Sequence, residues 1–288
     1  MSRNLRQRIA FSAVAIPLAV GVLWWGGWAL AACLALLGVL WTREIYELAR
    51  RQGIDPLDGL GHVAAAAIPM ATYWAKGSEQ RWAEPALFVG ALWLLAVLVG
   101  AMLERGPGGR PLAAVAVTVF GALYASALLS FVIAIRHEGG AHGAAGRWPS
   151  TVLVVFPLAL TWICDTCAMA VGSAVGGPKL APVLSPNKTW AGAIGGTVGA
   201  LAAALVIGIL VLNRAGWQLA VWQLVTVGAV VAVVGQIGDV AESLFKREAG
   251  IKDSSSLIPG HGGVLDRLDS LYFVIPVSAG LFKWYGIV

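Results

Sequence analysis

Long apolar runs, each near the length that crosses a hydrocarbon layer, alternate along this chain with short polar or charged segments. A helix needs about 20 residues, with a range of about 17–25, to span the roughly 30 Å core of a bilayer. Runs of that kind fall near residues 9–26, 28–48, 60–75, 83–103, 111–135, 151–171, 189–212, 217–240 and 267–285. The third is short enough for a shallow or re-entrant segment. None carries the long polar face that a soluble amphipathic helix turns toward water. The pattern predicts an all-α, polytopic integral membrane protein with about nine transmembrane helices. Residues 1–288 then form a single membrane domain with no separate soluble domain.

Composition agrees with this reading. Of 288 residues, 58% are hydrophobic and 12% charged, and the mean hydropathy is +0.78. Soluble domains run at about 25% charged. The 36 Gly and 13 Trp also suit a membrane protein, because membrane helices accommodate Gly and interfaces favour Trp.

Charge then sets orientation. With a cytoplasmic N-terminus, the cytoplasmic segments hold Arg3, Arg6, Arg8, Arg43, Arg50, Arg51, Arg105, Arg110, Lys179, Lys188, Lys246, Arg247, Lys252 and Arg267, 14 of the 20 basic residues. The positive-inside rule therefore predicts N-terminus in and C-terminus out. The net charge of +5 reflects this topology and attraction to lipid headgroups. Its bases are scattered over short loops, so no nucleic-acid partner is expected. Arg3, Arg6 and Arg8 before an apolar run, and Leu30-Ala31-Ala32-Cys33, have the look of a signal peptide and a lipoprotein box. Apolar sequence continues to Trp41, which predicts an uncleaved first hairpin instead.

Chemistry-bearing residues are unevenly placed. Residues 1–150 contain apolar helices and no motif, and are expected to be a lipid-facing scaffold. His137 and His142 fall in a loop expected to be solvated. Cys164 and Cys167 lack the further ligands of a zinc site and are expected to be small apolar fillers. From residue 151 on, catalytic helices and cytoplasmic loops are expected, because three polar islands appear there. These are Asp165-Thr166, the stretch from Gly176 to Trp190, and Asp239 running through to Asp269.

Asp165, Asp239 and Glu242 lie in or at the edge of apolar helices. A charge at the bilayer centre costs at least about 2.5–3.5 kcal/mol and is usually functional. Asp239 and Glu242 share a helix face, as do Asp266 and Asp269. Paired oxygens suit Mg²⁺, which takes one or two carboxylates together with water and phosphate. Asp269 also suits the acidic first turn of a helix. Over 239–269, six acids face four bases, a balance of −2 that would repel a polyphosphate unless a divalent cation were present. Lys246, Arg247, Lys252 and Arg267 supply cations for phosphate oxygens. Gly260-His261-Gly262-Gly263 lets backbone N–H groups approach an anion. Ser185-Pro186-Asn187-Lys188-Thr189 places hydroxyls and an ammonium in a rigid turn at another helix start, where capping is the plainer role.

Ser243 to Asp269 reads S-x-F-K-R-x4-K-D-x-S-x2-I-P-x-H-G-G-V-x-D-R-L-D, and this pattern resembles the phosphatidate cytidylyltransferase (CDP-diacylglycerol synthase) family. Asp165-Thr166, Gly172, Gly177, Lys179, Leu180, Pro182 and Ser185-Pro186-x-Lys188-Thr189-Trp190-x-Gly192 are similar to the family too, so the likeness covers roughly 165–269. Where the family usually carries tyrosine, this chain has Met169.

The resemblance implies transfer of a cytidylyl group from CTP to phosphatidate, giving CDP-diacylglycerol and pyrophosphate. It also implies a homodimer in the cell's inner (cytoplasmic) membrane with the site facing the cytoplasm. Mg²⁺ is implied, with a monovalent cation such as K⁺ beside it. The expected catalytic set is Asp239, Asp266, Lys246, Arg247, Lys252, His261 and Arg267. Asp239 and Asp266 are the expected metal ligands, with Asp165, Glu242 and Asp269 as lesser ones. Lys179, Ser185, Lys188, Thr189, Gly262 and Gly263 are expected to bind substrate. Two rival readings are CTP-dependent activation of another lipid phosphate and an ion-coupled transporter. The clustering of acids at one membrane face speaks against the transporter, whose sites sit at the midplane.

Overall fold

The computed structural model describes residues 3–76, 79–137, 146–255 and 262–288, with side chains from residue 13 to 76, from 82 to 137 and throughout the last two stretches. The described residues form nine long helices. They are α1 (Arg3–Trp25), α2 (Gly27–Arg51), α3 (Asp58–Ala75), α4 (Glu79–Glu104), α5 (Pro111–His137), α6 (Arg147–Val175), α7 (Trp190–Leu212), α8 (Val221–Glu248) and α9 (Leu271–Trp284). Six of these regions are long and apolar enough to cross a membrane. Each predicted span finds its helix. The main boundary difference is in α8, which ends at Glu248 rather than near 240 and so carries Glu242, Lys246 and Arg247 on regular helix. Between α6 and α7 the expected rigid turn is a small antiparallel hairpin, β1 (Lys179–Ala181) with β2 (Ser185–Thr189), in the register Lys179 to Thr189 and Ala181 to Ser185.

The surface has the inverse of a soluble protein's pattern. Leu87, Phe88, Leu92, Leu95 and Leu103 of α4 are exposed, an apolar expanse that in water would aggregate and in a bilayer meets lipid. Exposed Trp25, Trp28, Trp74, Trp148, Trp222 and Trp284 lie at helix ends opposite the hairpin, where an interfacial aromatic belt belongs.

Inside, Trp41 of α2 lies 4.6 Å from Tyr124 of α5 and 4.1 Å from Tyr272 of α9. Tyr124 sits in a π-type turn, Leu123–Ala127, whose extra residue shifts the ring positions of α5. Helix α7 packs on α6 through Gly192, Gly195, Gly196 and Gly199, one stripe at helical spacing. A Cβ at Gly195 would lie 2.6 Å from Val171, and one at Gly199 would lie 2.5 Å from the Cys167 Sγ. Small residues at such crossings let two helices approach closely within a membrane. Cys164 and Cys167 are free thiols against this stripe, as expected of fillers.

Loop contacts confirm the alternation of the helices. At one end Arg105 pairs with Asp55, 3.1 Å, and Arg247 donates to the Leu184 carbonyl, 3.1 Å. At the other end the Gly27 amide donates to His137 Nε2, 3.2 Å, and the Trp217 indole donates to the Pro149 carbonyl, 2.7 Å. His137 is therefore engaged in a loop contact rather than solvated, and His142 lies outside the described residues.

Candidate active site

A cavity of about 930 Å³ opens beside the hairpin. Its polar wall takes Asp165 from α6, Asn187 and Lys188 from β2, Gln236 and Asp239 from α8, and Asp266, Arg267 and Asp269 from the segment before α9. Its other wall is apolar, with Ala15 and Ile16 of α1, Trp162, Ala168 and Met169 of α6, and Leu180 of β1. Charged groups thus meet an apolar slot in one space. The hairpin carries Lys188 across to α8, where its ammonium pairs with the Asp239 carboxylate. Thr189 also borders the cavity, but its Oγ1 accepts the Gly192 N–H at 3.1 Å and so caps α7. The Gln236 amide donates to Thr197 Oγ1 at 3.3 Å and to the Ala193 carbonyl at 3.4 Å, which ties α8 to α7. Asp269 accepts the Ser270 N–H at 2.7 Å, just ahead of α9, so it serves the helix start and faces the cavity at once.

Asp266 is more tightly held. Its Oδ1 accepts from Lys246 Nζ at 2.7 Å, and its Oδ2 accepts from the Ser254 N–H (2.8 Å), the Ser254 hydroxyl (2.8 Å) and the Gly263 N–H (2.9 Å). Burial pushes this carboxyl up, but the Lys246 ammonium and the two backbone N–H donors outweigh it and hold the group below the usual carboxylate range. Lys246 also stands 3.0 Å from Glu242 Oε1. Glu242 is fully buried and does not border the cavity, so its place is beneath the site, beside Lys246.

The glycine pair is occupied differently from the expectation of free N–H groups. The Gly263 amide serves Asp266, and a Cβ on Gly263 would collide with the Ser254 hydroxyl and the Glu44 carboxylate. Gly262 has φ +82°, left-handed backbone that favours glycine.

Other expected residues stand apart from the cavity. Arg247 donates to the Leu184 and Ile251 carbonyls, at 3.1 and 3.2 Å, and so pins the hairpin loop to the end of α8. Lys179, Ser185 and Lys252 do not border the cavity. His261 lies outside the described residues.

One participant was missed altogether. Glu44 of α2 is 5% exposed, and its two oxygens accept from the Ser255 hydroxyl and the Val264 and Leu265 amides, with the Ser254 hydroxyl shared between it and Asp266. Nothing marks it in the sequence except its spacing. It lies on the same stripe as Trp41, Ile45 and Leu48, where an acid interrupts an otherwise apolar face.

Mg²⁺ can be tested against these donors. No three of the described His, Cys, Asp and Glu side chains converge as a ready-made cage. Mg²⁺ needs only one or two carboxylates when substrate phosphate completes its shell. Asp165, Asp239 and Asp269, from three separate segments, face the cavity and fit that requirement. Asp266 fits less well, because both of its oxygens already have donors.

Fold and cavity together define a polytopic membrane protein with a carboxylate- and lysine-lined site at one end of its bundle. The chain belongs to the cytidylyltransferase family, whose pattern it matches over residues 6–285. It is 47% identical over 135 residues to a phosphatidate cytidylyltransferase of Brucella suis biovar 1, a stretch covering 47% of each chain. A phosphatidate cytidylyltransferase of Staphylococcus haemolyticus is 43% identical over 124 residues, 43% of this chain and 46% of the relative. One from Synechocystis sp. is 29% identical over 291 residues, 94% of each chain. The matched stretch thus spans about half the length of the Brucella and Staphylococcus relatives.

Proposed function

We propose that the protein transfers a cytidylyl group from CTP to phosphatidate, giving CDP-diacylglycerol and pyrophosphate, at the cytoplasmic face of a bacterial inner membrane. The observation that carries this reading is the two-sided cavity, in which Lys188, Arg267 and the carboxylates of Asp165, Asp239 and Asp269 face an apolar slot between α1 and α6. A lipid phosphate fits such a space, with headgroup at the charged wall and acyl chains along Ile16, Trp162 and Met169.

The nucleophile is a phosphate oxygen that is already anionic, so no strong base is required. That oxygen attacks the α-phosphorus of CTP. The new P–O bond forms as the bond to the α–β bridging oxygen breaks, and pyrophosphate leaves with the electron pair. The obstacle is bringing two anions together, and it is met by positioning and charge neutralisation. Lys188 and Arg267 supply positive charge at the cavity. Asp239 and Asp165, with Asp269 beside them, would hold Mg²⁺, with Asp239 sharing its carboxylate between metal and Lys188. When bound, the metal neutralises phosphate charge and orients the leaving group. Lys246 acts one layer below, holding Asp266 on the turn that bears Arg267. Residues 1–150 are chiefly scaffold, and the active form is a homodimer.

Purified protein in detergent micelles, given radiolabelled CTP, Mg²⁺ and phosphatidate, is expected to form labelled CDP-lipid. A protein that makes no such product, but labels a polyprenyl or ether-lipid phosphate, would shift the reading to a different lipid. No labelled lipid with any acceptor would overturn it.

A further inference from the structure

Glu44 has no place in the reaction described above, yet it is the best-satisfied buried acid among the described residues of the first half of the chain. Its Oε1 accepts from the Ser255 hydroxyl at 2.7 Å and the Val264 N–H at 3.0 Å. Its Oε2 accepts from the Leu265 N–H at 2.8 Å and lies 2.9 Å from the Ser254 hydroxyl, whose one proton it shares with Asp266. Two of these donors precede residues 256–261 and two follow them, so one carboxylate fastens the chain on both sides of that stretch.

The Val264 and Leu265 amides belong to the unpaired N–H groups at the start of the one-turn helix Leu265–Leu268. Asp266 and Arg267 lie on that turn and border the cavity. Ser254 stands between Glu44 and Asp266, within hydrogen-bond distance of both. A buried carboxylate is tolerated only when it is fully hydrogen-bonded. An apolar residue would fill a mere packing position on α2 at less cost.

We infer that Glu44 is a positioning residue for the charged wall of the site, setting the turn that presents Asp266 and Arg267 from the motif-free half of the chain. The role rests on the cytidylyltransfer reading, and its test is built so that the two fail separately.

The test compares the full-length protein with Glu44→Gln and Glu44→Asp in micelles, by amide hydrogen exchange and by steady-state kinetics. Glu44→Gln replaces one accepting oxygen by an N–H₂ group. Exchange over 262–268 is expected to quicken about tenfold while α6 and α7 keep their protection. The KM for CTP is expected to rise about tenfold. Glu44→Asp, which keeps the carboxylate, restores part of both. A general loss of folded protein lowers kcat and leaves both KM values alone.

If Glu44→Gln does not fold, Ser255→Ala removes one donor and keeps the carboxylate, with a rise of about two- to fivefold in the KM for CTP expected. Unchanged exchange at 262–268, or an unchanged KM for CTP in the folded variant, overturns the role. Absence of CDP-lipid from the unaltered protein overturns the cytidylyltransfer reading instead. Exchange at 262–268 then still decides whether Glu44 sets the turn.

Discussion

Helices α1–α5 and helices α6–α9 bury polar groups to opposite ends. In the first set, buried polar groups mostly close the fold on itself. The Tyr46 hydroxyl donates to the Thr118 carbonyl at 2.8 Å, the Ser126 hydroxyl to the Ala65 carbonyl at 2.7 Å, and Arg136 to the Leu23 and Trp24 carbonyls at 2.6 and 2.9 Å. In the second set, charged groups from α6, β2, α8 and the segment before α9 converge on one cavity. Satisfied pairs inside a membrane protein hold helices together, whereas charge left facing a cavity awaits a ligand. Glu44 is the place where the first set reaches into the second.

The sharpest test of that contrast is Asp239→Asn. The amide keeps the shape and a contact for Lys188 but loses the charge that faces the cavity. A loss of CDP-lipid formation on the order of 10³-fold is expected, with insertion and micelle size unchanged by gel filtration. Near-normal CTP-dependent turnover in this variant would remove Asp239 from the proposed metal site and leave the second half without its central charge.

How far the sequence disclosed this arrangement follows from what each feature depends on. Helix positions rest on run length and hydropathy, which are local, so each predicted span finds a helix. Composition places the end of α8 too early because Glu242, Lys246 and Arg247 read as loop, while in the fold Lys246 pairs with Asp266 beside the buried Glu242 and the helix continues. Asp165, Asp239 and Asp269 stood out because each is an acid in or at the edge of apolar sequence, and the structure gathers them on one cavity. Of the free amides expected around Gly262-Gly263, that of Gly263 turns back onto Asp266, while the next two, Val264 and Leu265, meet Glu44, 220 and 221 positions earlier in the chain. Partners that distant leave no local signal. Lys179, Ser185 and Lys252 were carried by the family pattern, and their distance from the cavity is likewise a matter of tertiary placement.

Lys246 sits where folding and chemistry overlap, and Lys246→Met separates them. The substitution leaves Glu242 fully buried without its cation and frees one oxygen of Asp266. Removing one member of a buried pair costs about 3–5 kcal/mol, so thermal unfolding in micelles is expected to shift down markedly and turnover to fall with it. Adding Glu242→Leu removes the stranded carboxylate and is expected to return most of the stability without returning activity, because Asp266 still lacks its ammonium. Recovery of both together would mean that Lys246 matters only for folding.

The smallest expected effect comes from the first set of helices, with Tyr46→Phe. Tyr46 is fully buried on α2, two residues beyond Glu44, and its hydroxyl donates to the Thr118 carbonyl of α5. The phenylalanine ring keeps the packing, and the lost hydrogen bond is worth about 1 kcal/mol. That carbonyl lies within regular helix, where a backbone N–H is available to it, so no acceptor is stranded. A shift of a few degrees in thermal unfolding is expected, with kcat and both KM values unchanged. Glu44 and Tyr46 would then show one helix doing two separate jobs, one acting through the polar turn and the other only through the α2–α5 contact. A Tyr46→Phe protein with a raised KM for CTP would instead mean that any loosening of α2 reaches the nucleotide. In that case the first set of helices acts as a single lever on the site, and Glu44 is merely where that lever touches the turn.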